Sequence, residues 1–458
     1  MSPLTQNFLT WISRPELAPI YLGWILFFIL FQTFTETVPS IFNYQKIPDE
    51  LPAELAPDVS PEGKQDATPK GVTNTSLNTT RAYHRAYLKL GLLGNFGGLV
   101  VQLSFLLLGG FGALDRWARA LAGASIPEQM QAGSTERLSA LLFIGALLFF
   151  KGLLDLPFSL YATFVLEERF GFNKTTWKTF VSDRIKGLVL GLLIGTPLLL
   201  GVLEFFERLG KAAWLPVWLG LTAVSLFFSW LAPRYLMPLF NRFTPLESGP
   251  LKEAIERFAQ RNQFPLGEIF TMDGSRRSSK ANAFFTGFGK NRRLVLFDTL
   301  IQKQTIEETI GVLAHEIGHF KLRHIPKMIF VSIASSGLSL FLLALLLKNP
   351  GLFGAFQIDT VSTYASLVLY GYLLTPLQEV LQLGSLSLSR KHEFEADRFA
   401  ADTTGNPEAL ARALIRMSQD HLSHPNPHWL KVLLEYSHPP VLQRVRALRA
   451  VKEAKHTA

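Results

Sequence analysis

The sequence contains no cysteine, so disulfide bonds, thiol catalysis and cysteine ligands to a metal are excluded. Charged residues are also scarce: they fill 18% of the 458 positions, whereas 48% of the residues are hydrophobic. Residues 1–16 lack a basic segment followed by a short apolar core, so we predict no cleavable signal peptide. This composition is too apolar for an ordinary soluble enzyme and favours a protein that crosses a membrane several times.

The apolar residues cluster in seven runs, each of roughly 20 residues or more, which is enough to cross a bilayer as a helix. A polar, proline-rich connection separates the first two runs and is predicted to be a loop. The sequence therefore predicts a mostly α-helical membrane protein with about seven transmembrane helices. The runs cover residues 19–38, 88–114, 139–166, 187–206, 214–240, 328–347 and 361–384.

The net charge of +9 is compatible with nucleic acid binding, but in a membrane protein it indicates an excess of Lys and Arg on the cytoplasmic side. We therefore predict no nucleic acid partner. Lys and Arg are more frequent in the odd-numbered connections, in residues 241–327 and in the C-terminal tail. This asymmetry predicts an outside N-terminus, with the C-terminus and the catalytic segments in the cytoplasm. The membrane would be the inner membrane of a bacterium or the endoplasmic reticulum of a eukaryote.

Two segments of the chain are polar enough to lie in water, namely residues 241–327 and the tail 385–458, and they separate the predicted transmembrane units. The first begins with an amphipathic helix, continues with β-strands in "GEIFTMDG", "ANAFFTGFG" and "RRLVLFDTL", and ends in a helix opened by the capping box of Thr305 and Glu308. The second polar segment, the C-terminal tail, is predicted to be helical. The predicted units are 1–240 with five transmembrane helices, 241–327 with the small sheet, 328–384 with two transmembrane helices, and 385–458.

The helix that follows the capping box carries HEIGH at residues 315–319. His315 and His319 are four residues apart, so both imidazoles project from one helical face and can bind the same Zn²⁺ ion. Glu316 lies beside them, where it accepts a proton from a water that zinc acidifies for attack on a carbonyl. This HExxH pattern is typical of zinc hydrolases, although so short a pattern also arises by chance on surface helices. His324 is off the ligand face of the helix and is predicted to lie outside the site.

Two histidines leave a catalytic zinc short of one protein ligand. The tail offers "SRKHEFEAD", where Glu393 and Asp397 share one helical face. One of the two would bind zinc while the other orients a ligand histidine. His392, Glu395 and Asp397 compete for the ligand role, and the presence of the HExxH helix makes Glu393 the favoured third ligand.

These two motifs, together with four further stretches, resemble the CaaX prenyl protease 1 family of integral-membrane zinc metalloproteases. The likeness runs in the same order along most of the chain, from about the second apolar run onward. It implies a seven-helix membrane barrel that encloses a large water-filled chamber, capped by a gluzincin-type domain that holds one zinc ion per chain. The four stretches are "LPFSLYATFVLEERFGFNKTTWKTFVSDRIKG" (156–187), "APRYLMPLFNRFTPL" (232–246), "KANAFFTGFGKNRRLVLFDTL" (280–300) and "EYSHPPVLQRVRAL" (435–448).

The resemblance also implies a role for each matching residue of the metal site. His315, His319 and Glu393 match the zinc ligands of the family. Glu316 matches the general base, and Asp397 matches the acid behind a ligand histidine.

Four residues outside the metal motifs match family positions that meet the substrate. Asn282 and Ala283 match an edge strand that aligns the substrate peptide, as an extended peptide can add to a sheet edge through main-chain hydrogen bonds. His438 and Arg444 match positions near the reacting carbonyl, where a positive or hydrogen-bonding group would stabilise the oxyanion.

The implied function is hydrolysis of peptide bonds in CaaX-type prenylated peptides or in misfolded membrane proteins. The predicted partners are therefore a peptide or protein substrate, prenylated or membrane-bound, and membrane lipid. The alternative is a polytopic transporter or scaffold with a non-catalytic zinc site. Structural zinc sites normally have four protein ligands, whereas this sequence offers three and a glutamate placed to activate water, which favours the protease.

Overall fold

The structure is a computed structural model that describes residues 10–55, 74–126, 131–286 and 293–456. Helices form most of the described chain. The four strands of a single sheet fall, in sequence, between the helices labelled α7 and α9 below. The helices are α1 (Ala18–Gln45), α2 (Asn74–Leu107), α3 (Gly110–Ser125), α4 (Gln131–Tyr161), α5 (Trp177–Leu190), α6 (Thr196–Leu209), α7 (Trp214–Leu231), α8 (Pro250–Arg261), α9 (Asp298–Lys303), α10 (Ile306–Lys321), α11 (His324–Leu346), α12 (Pro350–Ala355), α13 (Thr363–Thr404), α14 (Pro407–Asp420), α15 (Trp429–Glu435) and α16 (Val441–His456). The strands are β1 (Phe243–Pro245), β2 (Ile269–Met272), β3 (Ala283–Thr286) and β4 (Arg293–Phe297).

Five helical segments of the described chain are long and apolar enough to cross a membrane, so the protein is a multi-pass membrane protein. The fourth segment has 63 residues and contains the predicted run 187–206 and all but the last residue of the run 214–240, which a one-turn 3₁₀ helix at Gly210–Ala213 separates. The five segments are Pro15–Gln45, Leu77–Leu107, Gly133–Glu167, Trp177–Leu239 and His324–Leu346.

The predicted run 88–114 is wrong at its C-terminal end. α2 ends at Leu107, and a new helix, α3, begins at Gly110. Between them Gly109 has a φ of +75°, a left-handed conformation that glycine adopts without steric cost and that ends the preceding helix.

The last predicted run, 361–384, lies within α13, which has 42 residues and is therefore about 63 Å long at 1.5 Å per residue. α13 begins where the Ser362 hydroxyl accepts a hydrogen bond from the Ala365 amide, and it continues without a break into the polar tail. This run is not among the five segments above, so the total of seven spans stays a prediction.

The sheet is built around β4, whose sequence RLVLF buries Leu294, Val295 and Leu296. The strand order is β1-β2-β4-β3, with β2 and β4 parallel and both outer strands antiparallel to their neighbours. The three predicted strands are confirmed, whereas β1 was not predicted because three residues are too few to show a period. β3 is an edge strand: within the described ranges no strand pairs with its outer side.

One hydrophobic core joins this sheet to the helices that carry the site. α8 is amphipathic and packs Ile255, Phe258 and Ala259 into this core, as its sequence predicts. Apolar residues of β4, α10, α14 and α16 enter the same cluster. Because burial of each large apolar side chain contributes roughly 1.5–3 kcal/mol, this cluster holds the sheet and the HEIGH helix in one packed unit.

Candidate active site

The HEIGH helix, α10, begins at a complete capping box. The Thr305 hydroxyl accepts a hydrogen bond from the Glu308 amide at 3.2 Å, and the Glu308 carboxylate accepts one from the Thr305 amide at 2.9 Å. Glu308 is also buried and pairs with Arg416 at 3.2 Å. The start of α10 is therefore fixed, and with it the position of the two histidines three turns later.

α10 packs closely against α13, and a small residue in the motif itself permits this approach. A Cβ atom on Gly318 would lie 3.1 Å from the Ala396 Cα and 3.2 Å from its carbonyl oxygen. Ala396 is fully buried between the two helices. This contact brings Glu393, three residues before Ala396 on α13, to the face of α10 that carries the histidines.

His315, His319 and Glu393 present three ligand atoms to one point. The two Nε2 atoms lie 3.1 Å apart, and the Glu393 carboxylate oxygens lie 3.4 Å from His315 Nε2 and 3.3 Å from His319 Nε2. A tetrahedral zinc ion with bonds of about 2.0–2.2 Å separates its ligand atoms by about 3.3 Å, so the residues fit a zinc ion. Glu393 Oε2 is buried, and among the described residues no hydrogen bond of acceptable geometry reaches it, although Arg444 Nη1 lies 3.0 Å away.

Asp397 lies directly behind His315. Its carboxylate accepts a hydrogen bond from His315 Nδ1 at 2.8 Å, which leaves Nε2 facing Glu393. Arg444 donates two hydrogen bonds to the same carboxylate, at 2.8 Å from Nε and 2.7 Å from Nη2. All three groups are buried.

Burial and neighbouring charges set the protonation of these groups. Burial alone would lower the pKa of His315, but its hydrogen bonds to Asp397 and Glu393 raise it to about 9. Burial would raise the pKa of Asp397, but the Arg444 guanidinium outweighs it and holds that pKa below its usual range. The carboxylates of the site therefore stay ionised next to its imidazoles. Their negative charge favours the binding of a divalent cation.

Glu316 is half-buried on α10 beside His315. Burial raises the pKa of its carboxyl group above the usual range, and the adjacent histidines oppose that shift only in part. A carboxyl group with a raised pKa can accept a proton and later release it, which is the property that a general base needs.

The two residues predicted near the oxyanion occupy different environments. His438 Nε2 lies 3.3 Å from the Glu393 carboxylate, and its side chain is 63% exposed. Its Nδ1 shares a hydrogen bond with the Ser437 hydroxyl at 2.9 Å. Arg444 is instead buried behind the ligands, and all three of its nitrogens contact Asp397 or Glu393. Contact of either residue with an oxyanion stays a prediction.

Asn282 and Ala283 lie at the beginning of the edge strand. The Asn282 carbonyl accepts a hydrogen bond from the Phe297 amide at 3.0 Å, and Ala283 pairs with Leu296 in β4. β3 also contacts α10. The edge strand therefore lies beside the helix that carries the histidines.

The sequence predicts that His324 lies outside the site, but the structure brings it to His319. The two Nδ1 atoms are 3.1 Å apart, and His324 Nε2 lies 2.9 Å from the Glu395 carboxylate. Helical periodicity does not apply here, because α10 ends at Lys321 and Arg323 adopts a left-handed φ of +57° before α11 begins. No pattern in the sequence marks that turn.

A cavity of about 670 Å³ opens beside His319. Apolar residues of α11 and α13 line it together with His324 and His392, and α11 is one of the segments able to cross a membrane. The cavity therefore places His319 at the edge of a space between two long helices. Its apolar lining includes Ile325, Met328, Ile329 and Leu381.

Comparison with known proteins matches two consecutive parts of the chain to family profiles. The sequence profile described as CAAX prenyl protease N-terminal, five membrane helices, matches residues 40–242. The profile of peptidase family M48 matches residues 245–452, which include the whole site. The CAAX prenyl protease 1 of Saccharomyces cerevisiae is 35% identical over 430 residues, which are 90% of this chain and 92% of the relative.

Two further relatives and one solved structure are similar to most of the chain. The CAAX prenyl protease 1 homologue of Arabidopsis thaliana is 37% identical over 74% of this chain and 80% of its own length. The human homologue is 36% identical over 69% of this chain and 74% of its own length. The crystal structure of S. mikatae Ste24p superposes with a TM-score of 0.82 at 33% identity and covers 93% of this chain and 99% of that chain. The chain therefore belongs to the CAAX prenyl protease 1 family and is a membrane zinc metalloendopeptidase of peptidase family M48.

Proposed function

We propose that His315, His319 and Glu393 hold one zinc ion per chain and that Glu316 is the general base for peptide hydrolysis. The observation that carries this proposal is the separation of 3.1 Å between the two histidine Nε2 atoms and of 3.3–3.4 Å from each of them to an oxygen of the Glu393 carboxylate. When bound, zinc polarises the scissile carbonyl and acidifies the attacking water. Glu316 takes the proton of that water, and it then donates the proton to the leaving amine.

Two further residues serve the same step from different positions. The exposed His438 side chain is free to turn from Glu393 toward a substrate carbonyl, where its N–H would stabilise the developing oxyanion. Arg444 acts as a positioning residue, because it fixes Asp397 and through it the ring of His315. The predicted oxyanion contact of Arg444 is the less favoured of its two roles.

The substrate is proposed to bind as an extended peptide along β3. An edge strand offers free main-chain groups to a peptide, and the beginning of this strand holds Asn282 and Ala283. The relatives are named CAAX prenyl proteases, and the apolar cavity beside His319 would accommodate a lipid group. We therefore propose a prenylated or otherwise membrane-bound protein as the substrate, with membrane lipid around it.

The sidedness of the site belongs to this proposal as well. The excess of Lys and Arg in residues 241–327 and in the tail supports a cytoplasmic location for the catalytic segments and the C-terminus. The membrane is then the endoplasmic reticulum in a eukaryote and the inner membrane in a bacterium. The transporter and scaffold alternatives are not favoured by the family comparisons.

The experiment compares three substrates with the purified protein in detergent. They are a farnesylated CaaX peptide, the same peptide without the farnesyl group, and an unfolded membrane protein, each with and without a chelator. The proposal expects chelator-sensitive cleavage of the farnesylated peptide and at least tenfold slower cleavage of the bare peptide. Equal cleavage of both peptides would refute the lipid requirement. Cleavage that survives complete removal of the metal would refute the zinc mechanism.

A further inference from the structure

We propose that His324 and Glu395 form a hydrogen-bonded relay that orients His319, the second of the proposed zinc ligands. The inference rests on the proposed function and adds two positioning residues to it. Among the residues that the structure describes, His319 would otherwise have no counterpart to the Asp397 carboxylate that fixes His315. The relay supplies a carboxylate to His319 through an intervening imidazole.

The contacts of the three side chains define one direction of hydrogen bonding. A carboxylate can only accept, so His324 donates from Nε2 to Glu395 at 2.9 Å. A neutral imidazole that donates from Nε2 accepts at Nδ1, and this atom lies 3.1 Å from His319 Nδ1. His319 therefore donates from Nδ1, and its Nε2 lone pair faces His315 and Glu393.

The surroundings of His324 hold its ring in this orientation. Its side chain is 2% exposed, and its Nε2 donates a hydrogen bond to the Glu395 carboxylate. The ring of His392 stacks on it at 4.0 Å with an interplanar angle of 9°. The backbone turn at Arg323, with its φ of +57°, brings His324 to the start of α11 below His319. Ring plane, tautomer and position are thus all fixed by contacts outside the ligand set.

His324, His392 and Glu395 also lie close enough to one another to hold a second metal ion. Two features favour the relay over that site. Both nitrogens of His324 already have partners, in Glu395 and His319. The parallel rings of His324 and His392 direct their in-plane lone pairs side by side, whereas two ligands of one ion need lone pairs that converge.

The test measures zinc affinity and stoichiometry rather than activity alone. His324→Ala, Glu395→Ala and the surface control Arg398→Ala, whose side chain is 75% exposed and pairs with Asp402 on the same helix, are compared with wild type by competition of each full-length protein with a chromogenic chelator. We expect both relay variants to bind zinc about 10–100-fold more weakly, as removal of such partners generally does. The control variant is expected to bind zinc with the affinity of wild type. Exchange of the metal for Co²⁺ adds a spectrum that reports the ligand geometry directly, and the relay variants should change it.

The outcomes separate the relay from the proposed function. Loss of zinc from wild type itself would mean that the proposed site fails, whatever the relay does. Zinc binding by His324→Ala and Glu395→Ala with wild-type affinity and an unchanged Co²⁺ spectrum would refute the relay and leave the proposed function intact. His392→Phe keeps a stacked ring without a donor nitrogen. A fall from two zinc ions to one in this variant would show a second metal site instead, while one ion in both proteins agrees with the relay.

If His324→Ala does not fold, Glu395→Ala carries the test, because Glu395 is 38% exposed and its loss leaves the core intact. Thermal unfolding of each variant after chelator treatment identifies a folding defect. A positioning role is supported if the metal-free relay variant unfolds at the same temperature as metal-free wild type but binds zinc more weakly.

Discussion

Two buried carboxylates of the site share one guanidinium, so the second negative charge is left for a protonated His315 or a bound cation to compensate. Glu393 and Asp397 share the Arg444 guanidinium, and all three side chains are at most 7% exposed. Burial of a charge is costly unless an opposite charge compensates it. A divalent cation between His315, His319 and Glu393 supplies that compensation, so the charge of the site agrees with its geometry.

Replacement of Asp397 by Asn tests the support behind His315. The amide keeps the shape of the side chain but removes the charge that faces Arg444 and His315. We expect zinc affinity to fall by about 10–100-fold, measured by chelator competition. Asp402→Asn is the matched control, because Asp402 lies on the same helix but is half-exposed and pairs with Arg398. Equal zinc affinity of Asp397→Asn and the control would contradict this role.

His421 gives a pH dependence that does not involve the metal. Its Nε2 accepts a hydrogen bond from the Ala281 amide at 3.0 Å, one residue before Asn282. Burial lowers the pKa of His421 to about 4, with Lys280 acting in the same direction. Between pH 6.5 and pH 4 the unfolded chain therefore binds a proton that the folded chain does not. The free energy of unfolding falls as the pH is lowered through this range.

The variant His421→Gln removes this titration while it keeps a hydrogen-bond acceptor. As the pH is lowered from 6.5 to 4, we expect the Tm of wild type to fall more steeply than the Tm of the variant. The difference between the two Tm values should therefore become smaller toward pH 4. The measurement is thermal unfolding of both proteins in detergent at each pH. Parallel curves for the two proteins would show that His421 does not titrate in this way.

At the scale of elements, the site depends on how closely α10 and α13 approach. Gly318→Ala inserts a methyl group 3.1 Å from the Ala396 Cα, where both helix backbones are packed. We expect the two helices to separate by a few tenths of an ångström. Zinc affinity should fall about tenfold, because a displaced Glu393 no longer matches the tetrahedral spacing. The change would appear in the same chelator competition.

Gly384→Ala is the matched control for this effect, because an added Cβ there meets nothing within 4 Å. Alanine is the better helix former, so this control should be neutral or slightly stabilising. Wild-type zinc affinity in Gly318→Ala would mean that the helix contact does not set the ligand spacing.

The elements that the sequence predicted well are those with a strong local signal. The capping box of Thr305 and Glu308 located the start of α10, and the amphipathic pattern located α8. Breaks that depend on a single backbone conformation were missed. Gly109 divides one apolar run into two helices, and the left-handed Arg323 places His324 against His319. A positive φ at an arginine has no sequence signal, because tertiary contacts impose it.

At the scale of the whole molecule, the membrane helices and the proposed zinc site form one connected structure. α13 continues from the predicted last span into the segment that carries Glu393 and Asp397. The end of α1 is also joined to the tail, since the Asn43 carbonyl contacts His424 Nε2 at 2.7 Å and its side chain accepts a hydrogen bond from the His428 amide at 2.9 Å. The segments of the proposed site are thus joined to α1, which is able to cross a membrane, and to the predicted last span.

Helical spacing named His315, His319 and Glu316, whereas the choice of Glu393 over its neighbours as third ligand also needed the presence of the HExxH helix. Distances between segments far apart in the chain could not be derived in this way. The bonds between Arg444 and Asp397 join residues 47 positions apart, and only the fold shows that Arg444 lies behind the ligands.

The measurement that tests the central claim most directly is paired determination of bound zinc and peptide hydrolysis for wild type, Glu316→Gln and the exposed control Glu307→Gln. We predict one zinc ion per chain in all three proteins, wild-type hydrolysis in Glu307→Gln, and a rate lower by about 10²–10⁴-fold in Glu316→Gln. Hydrolysis by Glu316→Gln at the wild-type rate, with zinc still bound, would contradict the assignment of Glu316 as the general base.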